Sequence, residues 1–221
     1  MQTTTSQLAA LFDFDGVVMD TETQYSRFWH RQGVEYLGMD DLEGRIKGQT
    51  LDYIYATFFT GMTQVQEEIT RRLNRYEQEM AYEYIPGIEP FLDELRRQGV
   101  KLAVVTSSNE QKMTAVYRVH PELKERFDAI LTAEMFAASK PAPDCFLLGM
   151  ERFSTTPSHT YVFEDSFNGL RAGMASGATV IGLATTNSRE AIASLCHEVI
   201  DDFRGFTCEK MVQVGERRLL E

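Results

Sequence analysis

The 221-residue chain has few cysteines, few basic residues and no long apolar run. Its three cysteines form no CxxC pair, which argues against a disulfide framework or a zinc site and favours reduced thiols. The 22 basic and 33 acidic residues give a formal net charge of −11, whereas nucleic-acid binding needs clustered positive charge. No apolar segment approaches the roughly 20 residues of a membrane span. We therefore expect no nucleic-acid partner and no membrane partner.

The N-terminal segment has no basic region, no long apolar stretch and no small-residue cleavage site of the kind that directs export. We therefore expect a cytoplasmic protein. Hydrophobic residues make up 43% of the chain and charged residues 25%, as in ordinary folded domains, so we do not expect disorder. The acidic balance does pose a problem for an enzyme of anionic substrates, because the mean electrostatic field repels them.

Six short apolar segments predict the strands of a buried sheet. Their apolar residues are continuous rather than alternating, which is typical of parallel strands covered by helices on both faces. Helical patterns over 86–99, 141–151 and 166–176 separate several of them, so we expect a doubly wound, Rossmann-like α/β sheet. The predicted strands are 8–14, 101–106, 129–132, 160–163, 179–183 and 198–200.

Between residues 20 and 83 the chain shows no strand pattern. Three helical faces occur there instead, with large apolar residues recurring every three or four positions. We therefore expect a small all-helical domain at 18–84, inserted after the first strand, and a core domain formed by 1–17 and 85–221. The three faces carry Tyr25, Phe28 and Trp29; Leu51, Ile54, Tyr55, Phe58 and Phe59; and Val65, Ile69, Leu73, Tyr76 and Met80.

The first predicted strand ends in Asp13-Phe14-Asp15-Gly16. Alternation along a strand places Asp13 and Asp15 on the same side, at the carboxyl edge where parallel α/β sheets bind ligands. Two carboxylates this close repel each other unless a cation or a shared proton lies between them. A solvated acidic turn could have the same four residues. This motif therefore indicates a functional site only if further motifs lie at the same edge of the sheet.

Hydroxyl and lysine side chains follow the next two predicted strands. Thr106, Ser107 and Ser108 end the second strand, where hydroxyls and backbone N–H groups suit phosphate oxygens but equally suit a helix N-cap. Lys140 follows the third strand, and Pro141 fits the first turn of a helix. Lys140 would then lie at a helix N-terminus, where the dipole disfavours a cation, so it needs an anionic partner.

The fourth predicted strand repeats the acidic pattern of the first. It ends in Glu164-Asp165, and carboxylate oxygens of this kind suit Mg²⁺ rather than zinc. Gly169 and Gly173 in the following helix, and Gly177 at its end, recur every four residues, which would let that helix pack closely on the sheet. Because four such motifs end four successive strands, chance is a poor explanation for them.

Together the four motifs resemble those of the haloacid dehalogenase (HAD) superfamily. The segment FDFDGVVMD is similar to the first family motif, VVTSS to the second, Lys140-Pro141 to the third and FEDSFNG to the fourth. The segments DGVVMDTE, IPGIEPFL and EDSFNGLRAGMASGA are similar to the branch of β-phosphoglucomutase and phosphoglycolate phosphatase. The resemblance covers nearly the whole chain and implies that the helical insert is a cap domain.

The resemblance implies a Mg²⁺-dependent phosphoryl-transfer enzyme that works through an aspartyl phosphate. Asp13 would be the nucleophile, and Asp15 would be the general acid and then the general base. Mg²⁺ would be held by Asp13, Asp165 and the backbone carbonyl of Asp15, with Glu164 as a direct or an indirect ligand.

The resemblance also implies a phosphate-binding segment. Thr106, the Ser107 amide and Lys140 would bind the transferring phosphoryl group, with Thr106 and Lys140 taking part in catalysis. Ser108 and Asn109 continue the segment and are expected to contact the phosphate or the substrate.

Cap residues are expected to select the substrate, because the cap must close on the core. Thr21, next to the predicted hinge at 17–20, is expected to contact the substrate. Lys47, Gly48 and Gln49 resemble the cap loop that reaches the active site in this branch, and Gly48 would give that loop its turn and close approach. Trp29 is interpreted as ordinary cap core.

Two departures separate the chain from the sugar phosphomutases of this branch. Those enzymes carry a His on the first cap helix, where this chain has Tyr25, and an Arg after the cap-loop KG pair, where this chain reads QTLDY. We therefore expect a monomeric phosphatase acting on a small phosphorylated metabolite, with a sugar phosphomutase as the alternative. A non-catalytic phosphate-binding or regulatory protein is the alternative from another class, and the intact acidic and lysine motifs argue against it.

Overall fold

The computed structural model describes residues 7–220, and its centre is one six-stranded sheet. The strands are β1 (Ala9–Phe12), β2 (Lys101–Val105), β3 (Ala129–Leu131), β4 (Thr160–Glu164), β5 (Thr179–Leu183) and β6 (Glu198–Ile200). Neighbouring strands are parallel throughout, in the order β3-β2-β1-β4-β5-β6. This order, with its reversal beside β1, confirms the predicted doubly wound α/β fold.

Helices connect the strands and also form the segment between β1 and β2. They are α1 (Glu22–Leu37), α2 (Leu42–Ile46), α3 (Leu51–Phe58), α4 (Thr63–Glu79), α5 (Ile88–Arg97), α6 (Glu110–Val119), α7 (Leu123–Arg126), α8 (Asp144–Phe153), α9 (Phe167–Ala175), α10 (Arg189–Ile192) and α11 (Cys208–Arg218). None of them, over residues 7–220, combines the length and the apolar character that crossing a membrane requires.

Both faces of the sheet are buried, as the continuous apolar runs predict. On one face the rings of Phe12 and Phe163 stack with their centroids 4.5 Å apart, and Phe91 of α5 packs edge-on against both. On the other face Leu11 lies in a second buried cluster with Phe146 of α8. The central strand β1 is thus fixed from both sides, which fixes the acidic residues that follow it.

Helices α1–α4 build a third buried cluster of their own around Trp29, Ile54 and Ile69. The sequence pattern found α1, α3 and α4 but missed α2, because five residues are too few to show a helical period. Two connections join this helical cap to the sheet and run side by side, with hydrogen bonds from Asp20 N to Glu83 O and from Ile85 N to Val18 O. The domain limits at 17/18 and 84/85 stay a prediction.

The helix predicted to begin at Pro141 begins three residues later, at Asp144. Ala142 instead closes a turn by donating its backbone N–H to the Ser139 carbonyl at 3.0 Å. The cause is Pro143, because a proline disfavours the helical conformation of the residue before it. The expectation that Lys140 lies at a helix N-terminus was therefore wrong.

Candidate active site

Three carboxylates meet at the carboxyl edge of the sheet. Asp13 follows β1, Glu164 is the last residue of β4, and Asp165 follows it. One oxygen from each of them lies within 4.8 Å of the others, and all three residues are buried. The two acidic strand ends, β1 and β4, are neighbours in the sheet, so the fold itself brings these motifs together.

The electrostatics of this carboxylate group call for a cation. Burial, together with the charges of Glu164 and Asp15, raises the pKa of Asp13 to about 7 despite the nearby Lys140. Burial and the neighbouring Glu164 raise the pKa of Asp165 well above its usual value. The buried Oδ2 atom of Asp165 has no hydrogen-bond partner. Three carboxylates, one of which has an oxygen without a hydrogen-bond partner, are a set of ligands that fits a hard divalent cation.

Lys140 lies inside this group rather than at a helix end. Its side chain is fully buried, and its ammonium donates to Asp13 Oδ1 at 2.7 Å and to Glu164 Oε1 at 2.6 Å. Burial lowers the pKa of Lys140, but the charges of Asp13 and Glu164 outweigh this and raise the pKa well above its usual value. Lys140 therefore neutralises two of the three carboxylates and leaves Asp165 without an ion pair among the described residues.

Glycines make room for these carboxylates. Gly169, in the first turn of α9, lies so close to the Glu164 carboxylate that a Cβ atom there would overlap it. In the same helix, a Cβ on Gly173 would lie 3.0 Å from Val180 and 3.1 Å from Val162. The predicted close packing of this helix on the sheet is thus present. At Gly169 the Glu164 carboxylate occupies the space that a side chain would fill.

The segment after β2 lies beside the carboxylates, and each of its polar side chains has a partner. The buried Thr106 accepts a hydrogen bond from the Ser108 N–H at 3.0 Å, and Ser107 Oγ donates to the Gly48 carbonyl at 3.0 Å. Asn109 is the N-cap of α6 and accepts from the Lys112 N–H at 2.9 Å. The N-cap role considered for the hydroxyls thus belongs to Asn109.

The loop of Lys47, Gly48 and Gln49 joins α2 to α3 and contacts the core. Its Lys47 carbonyl accepts a hydrogen bond from Asn168 Nδ2 at 3.0 Å. Gly48 has a φ of 75°, and a Cβ atom there would lie 2.5 Å from Ser166 Oγ. The predicted turn and close approach at Gly48 are both present in the structure.

A cavity of about 600 Å³ lies between the cap and the core. Its lining contains eight acidic residues and, among the described residues, one basic residue, Lys47. The Lys47 ammonium lies 3.8 Å from the Glu22 carboxylate, and burial raises the pKa of Glu22 to about 7. Besides Asp165, two lining residues, Glu43 and Gln49, each have a buried oxygen, Oε2 and Oε1 respectively, without a hydrogen-bond partner.

Asp15 and Thr21 are also brought to this edge, but they contact each other. The Asp15 carboxylate lines the cavity and is not part of the three-carboxylate group. Thr21 is fully buried, and its hydroxyl donates to Asp15 Oδ1. The structure therefore places Thr21 against Asp15 rather than against the cavity. Trp29 is 6% exposed within the cap core, as interpreted from the sequence.

The sequence patterns did not identify Lys112 as a residue of this site. Its side chain is 2% exposed, and its ammonium contacts both carboxylate oxygens of Asp15. A signal was present, since Lys112 lies beside Met113 and four residues before Val116 on the buried face of α6. A lysine on a core-facing helical position needs a buried partner, and the pattern alone does not say which.

Comparisons with known proteins agree with this geometry. A sequence model of the haloacid dehalogenase-like hydrolases matches residues 10–183. The phosphorylated carbohydrates phosphatase of Thermotoga maritima is 28% identical over 178 residues, covering 76% of this chain and 81% of that protein. The β-phosphoglucomutase of Mycobacterium bovis is 25% identical over 225 residues, covering 85% of each chain.

A solved structure of CbbY from Rhodobacter sphaeroides, a variant in complex with xylulose 1,5-bisphosphate, superposes with a TM-score of 0.78. It is 22% identical in sequence, and the match covers 93% of this chain and 99% of that one. At this level of identity the likeness shows a shared fold.

Proposed function

Because this chain belongs to the haloacid dehalogenase-like hydrolase family, we propose that it is a Mg²⁺-dependent phosphatase of small phosphorylated carbohydrates. The observation that carries the proposal is the buried group of Asp13, Glu164 and Asp165 with Lys140 against two of them. The similarity to a phosphorylated carbohydrates phosphatase supports the substrate class. The proposal also includes a location in the cytoplasm and a monomeric state.

Asp13 is the proposed nucleophile. One of its carboxylate oxygens attacks phosphorus, the bond from phosphorus to the ester oxygen breaks, and that oxygen takes a proton from Asp15. Asp15 then removes a proton from water as the water attacks the aspartyl phosphate. The products are the alcohol, inorganic phosphate and free Asp13. Phosphoryl transfer of this kind depends mainly on positioning and charge neutralisation.

The residues around Asp13 provide that neutralisation. Mg²⁺ bound by Asp13 and Asp165, with the Asp15 carbonyl and Glu164 in support, would supply positive charge beside the phosphoryl oxygens. Lys140 is already within 2.7 Å of Asp13 and holds a second positive charge there. The Thr106 hydroxyl and the Ser107 amide lie at the end of β2, where they would orient the phosphoryl group.

The cavity supports a neutral, hydroxyl-rich substrate body carrying one phosphate. Glu43 and Gln49 line it, and each has a buried oxygen without a hydrogen-bond partner, which would be open to a sugar hydroxyl once the side chain turns toward the cavity. Lys47 is the basic residue of the lining among those described, and it faces Glu22. A second phosphate in this acidic cavity would meet repulsion with little compensation.

A sugar phosphomutase is the second candidate, because a β-phosphoglucomutase matches 85% of this chain. Tyr25 stands where the resemblance calls for a His, and its hydroxyl donates to Glu77 Oε1 at 2.8 Å. The cap loop after Gly48 has no Arg for a second phosphate. Both features favour the phosphatase.

A screen of sugar monophosphates with Mg²⁺, measuring released phosphate, tests the proposal. We expect turnover of several members and of p-nitrophenyl phosphate, and none by Asp13→Asn. In the same assays β-glucose 1-phosphate with its bisphosphate activator should yield phosphate and no glucose 6-phosphate. Efficient formation of glucose 6-phosphate would favour the mutase. If the wild-type protein has no activity on any of these esters, both the phosphatase and the mutase are refuted.

A further inference from the structure

Lys112 is buried at an unfavourable place for a cation. It lies in the first turn of α6, where the helix dipole disfavours positive charge. Its side chain is only 2% exposed, and burying a charge costs free energy unless it is paired and hydrogen-bonded. A lysine of this kind requires a strong partner, and the structure gives it one.

That partner is Asp15. The Lys112 ammonium donates to both carboxylate oxygens of Asp15 and to Ser108 Oγ, the last at 2.9 Å. An ammonium has three N–H donors, so these contacts use all of them. Ser108 in turn donates to Asp15 Oδ2 at 3.0 Å, and Thr21 donates to Oδ1. The carboxylate is therefore held by three residues from two segments of the chain, 108–112 and Thr21.

The cap completes the surroundings of Lys112. The ammonium lies 4.4 Å from the ring centroid of Tyr25, on α1, and 5.1 Å from that of Phe14. Such contacts attract a desolvated cation to an aromatic face. Tyr25 is held by Glu77 of α4, and α4 packs against α6. The position of the ammonium therefore depends on cap and core together.

We propose that Lys112 is a positioning residue for Asp15, and that the Tyr25 ring of the cap completes its binding site. The inference rests on the proposed function, in which Asp15 transfers the proton to and from the reacting oxygens. Rotation of the Asp15 carboxylate away from Lys112 would leave the buried ammonium without its charged partner. Because this costs free energy, the ion pair keeps Asp15 in one orientation. A fixed orientation is what an acid/base group needs, since small misplacements cost large factors in rate.

Leaving-group chemistry distinguishes positioning from a merely structural role. A sugar phosphate releases an alkoxide that must be protonated as it leaves, whereas p-nitrophenolate is a stable anion that needs little help from an acid. Misplacing Asp15 should therefore lower kcat/KM for the sugar ester much more than for p-nitrophenyl phosphate. General loss of structure would lower both values by a similar factor.

The test compares Lys112→Met with the wild type on p-nitrophenyl phosphate and on the sugar phosphate hydrolysed fastest in the screen above. We expect kcat/KM to fall on the order of 100-fold for the sugar ester and less than about 10-fold for the aryl ester. Lys112→Arg, which keeps the charge, should recover part of the loss. Lys124→Met is the matched control, because Lys124 also lies over a tyrosine ring, 4.2 Å from that of Tyr117, but is exposed outside the site.

Tyr25→Leu keeps the test decisive if Lys112→Met does not fold. It removes the aromatic face above the ammonium together with the hydrogen bond to Glu77, and the same selective loss on the sugar ester is expected, at smaller size. Tyr25→Phe, which loses that hydrogen bond but keeps the ring, should show no selective loss. Equal losses on both esters in folded Lys112→Met or Tyr25→Leu, or no loss, would overturn the role of Lys112 while leaving the phosphatase intact. A wild-type protein inactive on both esters would instead refute the proposed function and the role of Lys112 with it.

Discussion

Ser107 and Gly48 join the two parts of the molecule at the candidate site. Ser107 Oγ, at the end of β2, donates to the Gly48 carbonyl of the cap loop at 3.0 Å. Residues of the proposed phosphate-binding segment are thus in direct contact with the segment expected to select the substrate. In this closed arrangement the cavity is bounded by both parts.

Gly48→Ala should lower kcat/KM for every phosphate ester. The new Cβ would press on Ser166 Oγ and hold the cap loop away from the core, and residue 48 has a positive φ that alanine adopts at a cost of about 1 kcal/mol. Gly61→Ala is the matched control, since Gly61 has a φ of 77° but open space around it. Both variants should lose stability in urea denaturation because of the positive φ, Gly48→Ala should lose more because of the contact with Ser166, and only Gly48→Ala should lose activity. Equal activities would show that the contact at Gly48 is not needed.

Metal-free protein should lose stability as the pH rises from about 5 to 8. Burial raises the pKa of Asp13 and of Glu22 to about 7, well above the values in the unfolded chain. The folded state therefore retains protons that the unfolded state releases, and this stabilisation disappears as the pH passes 7. The free energy of unfolding in EDTA, from urea titrations at several pH values, should fall by a few kcal/mol across this range.

The additional stabilisation by Mg²⁺, the difference between titrations with and without the metal, should show the opposite dependence on pH. Metal and protons compete for the same oxygens, so the stabilisation by Mg²⁺ should be small at pH 5 and large at pH 8. A stabilisation independent of pH would place the metal away from Asp13 and Asp165.

Asp165→Asn should separate metal binding from folding. Asp165 has an unpartnered buried oxygen and no ion pair among the described residues, so its charge contributes little to the stability of the metal-free fold. We expect a Tm in EDTA equal to or above that of the wild type, with the rise in Tm on adding Mg²⁺ lost. Glu89→Gln, which alters a half-buried carboxylate paired with Arg126 away from the site, serves as control and should keep that rise. An unchanged Mg²⁺ response in Asp165→Asn would remove Asp165 from the metal site.

Gln49→Ala should affect sugar phosphates selectively. If the unpartnered Oε1 atom accepts a hydrogen bond from a substrate hydroxyl, its loss should raise KM for a sugar monophosphate by about 2- to 10-fold. KM for p-nitrophenyl phosphate, which has no hydroxyl to donate, should stay unchanged. A parallel rise for both substrates would assign Gln49 to the loop structure instead.

The sheet and the position of the site could be predicted because both depend on local patterns. Continuous apolar runs marked all six strands, and the topology of a parallel sheet then brought the residues after β1 and β4 together. The location of Asp13, Glu164 and Asp165 followed from this rule alone. The helices α1, α3 and α4 followed from their apolar period.

What the sequence could not provide are contacts between distant segments. Lys140 was expected at a helix N-terminus, but Pro143 delays the helix and the ammonium lies between two carboxylates. Lys112 is 97 residues from Asp15, and no local pattern links them. Thr21 was placed in the substrate site, yet the chain turns its hydroxyl toward Asp15. Each of these depends on packing between elements that are remote in sequence.

The paired connections between cap and sheet have a mechanical meaning. Asp20 and Ile85 each donate a backbone hydrogen bond to the other connection, so the segment between them is anchored by a two-stranded ribbon rather than by separate tethers. Sliding of one connection past the other would break both of these hydrogen bonds. The cap loop therefore stays at a high effective concentration beside the carboxyl edge of the sheet. No flexible linker has to be ordered to bring the loop to the site.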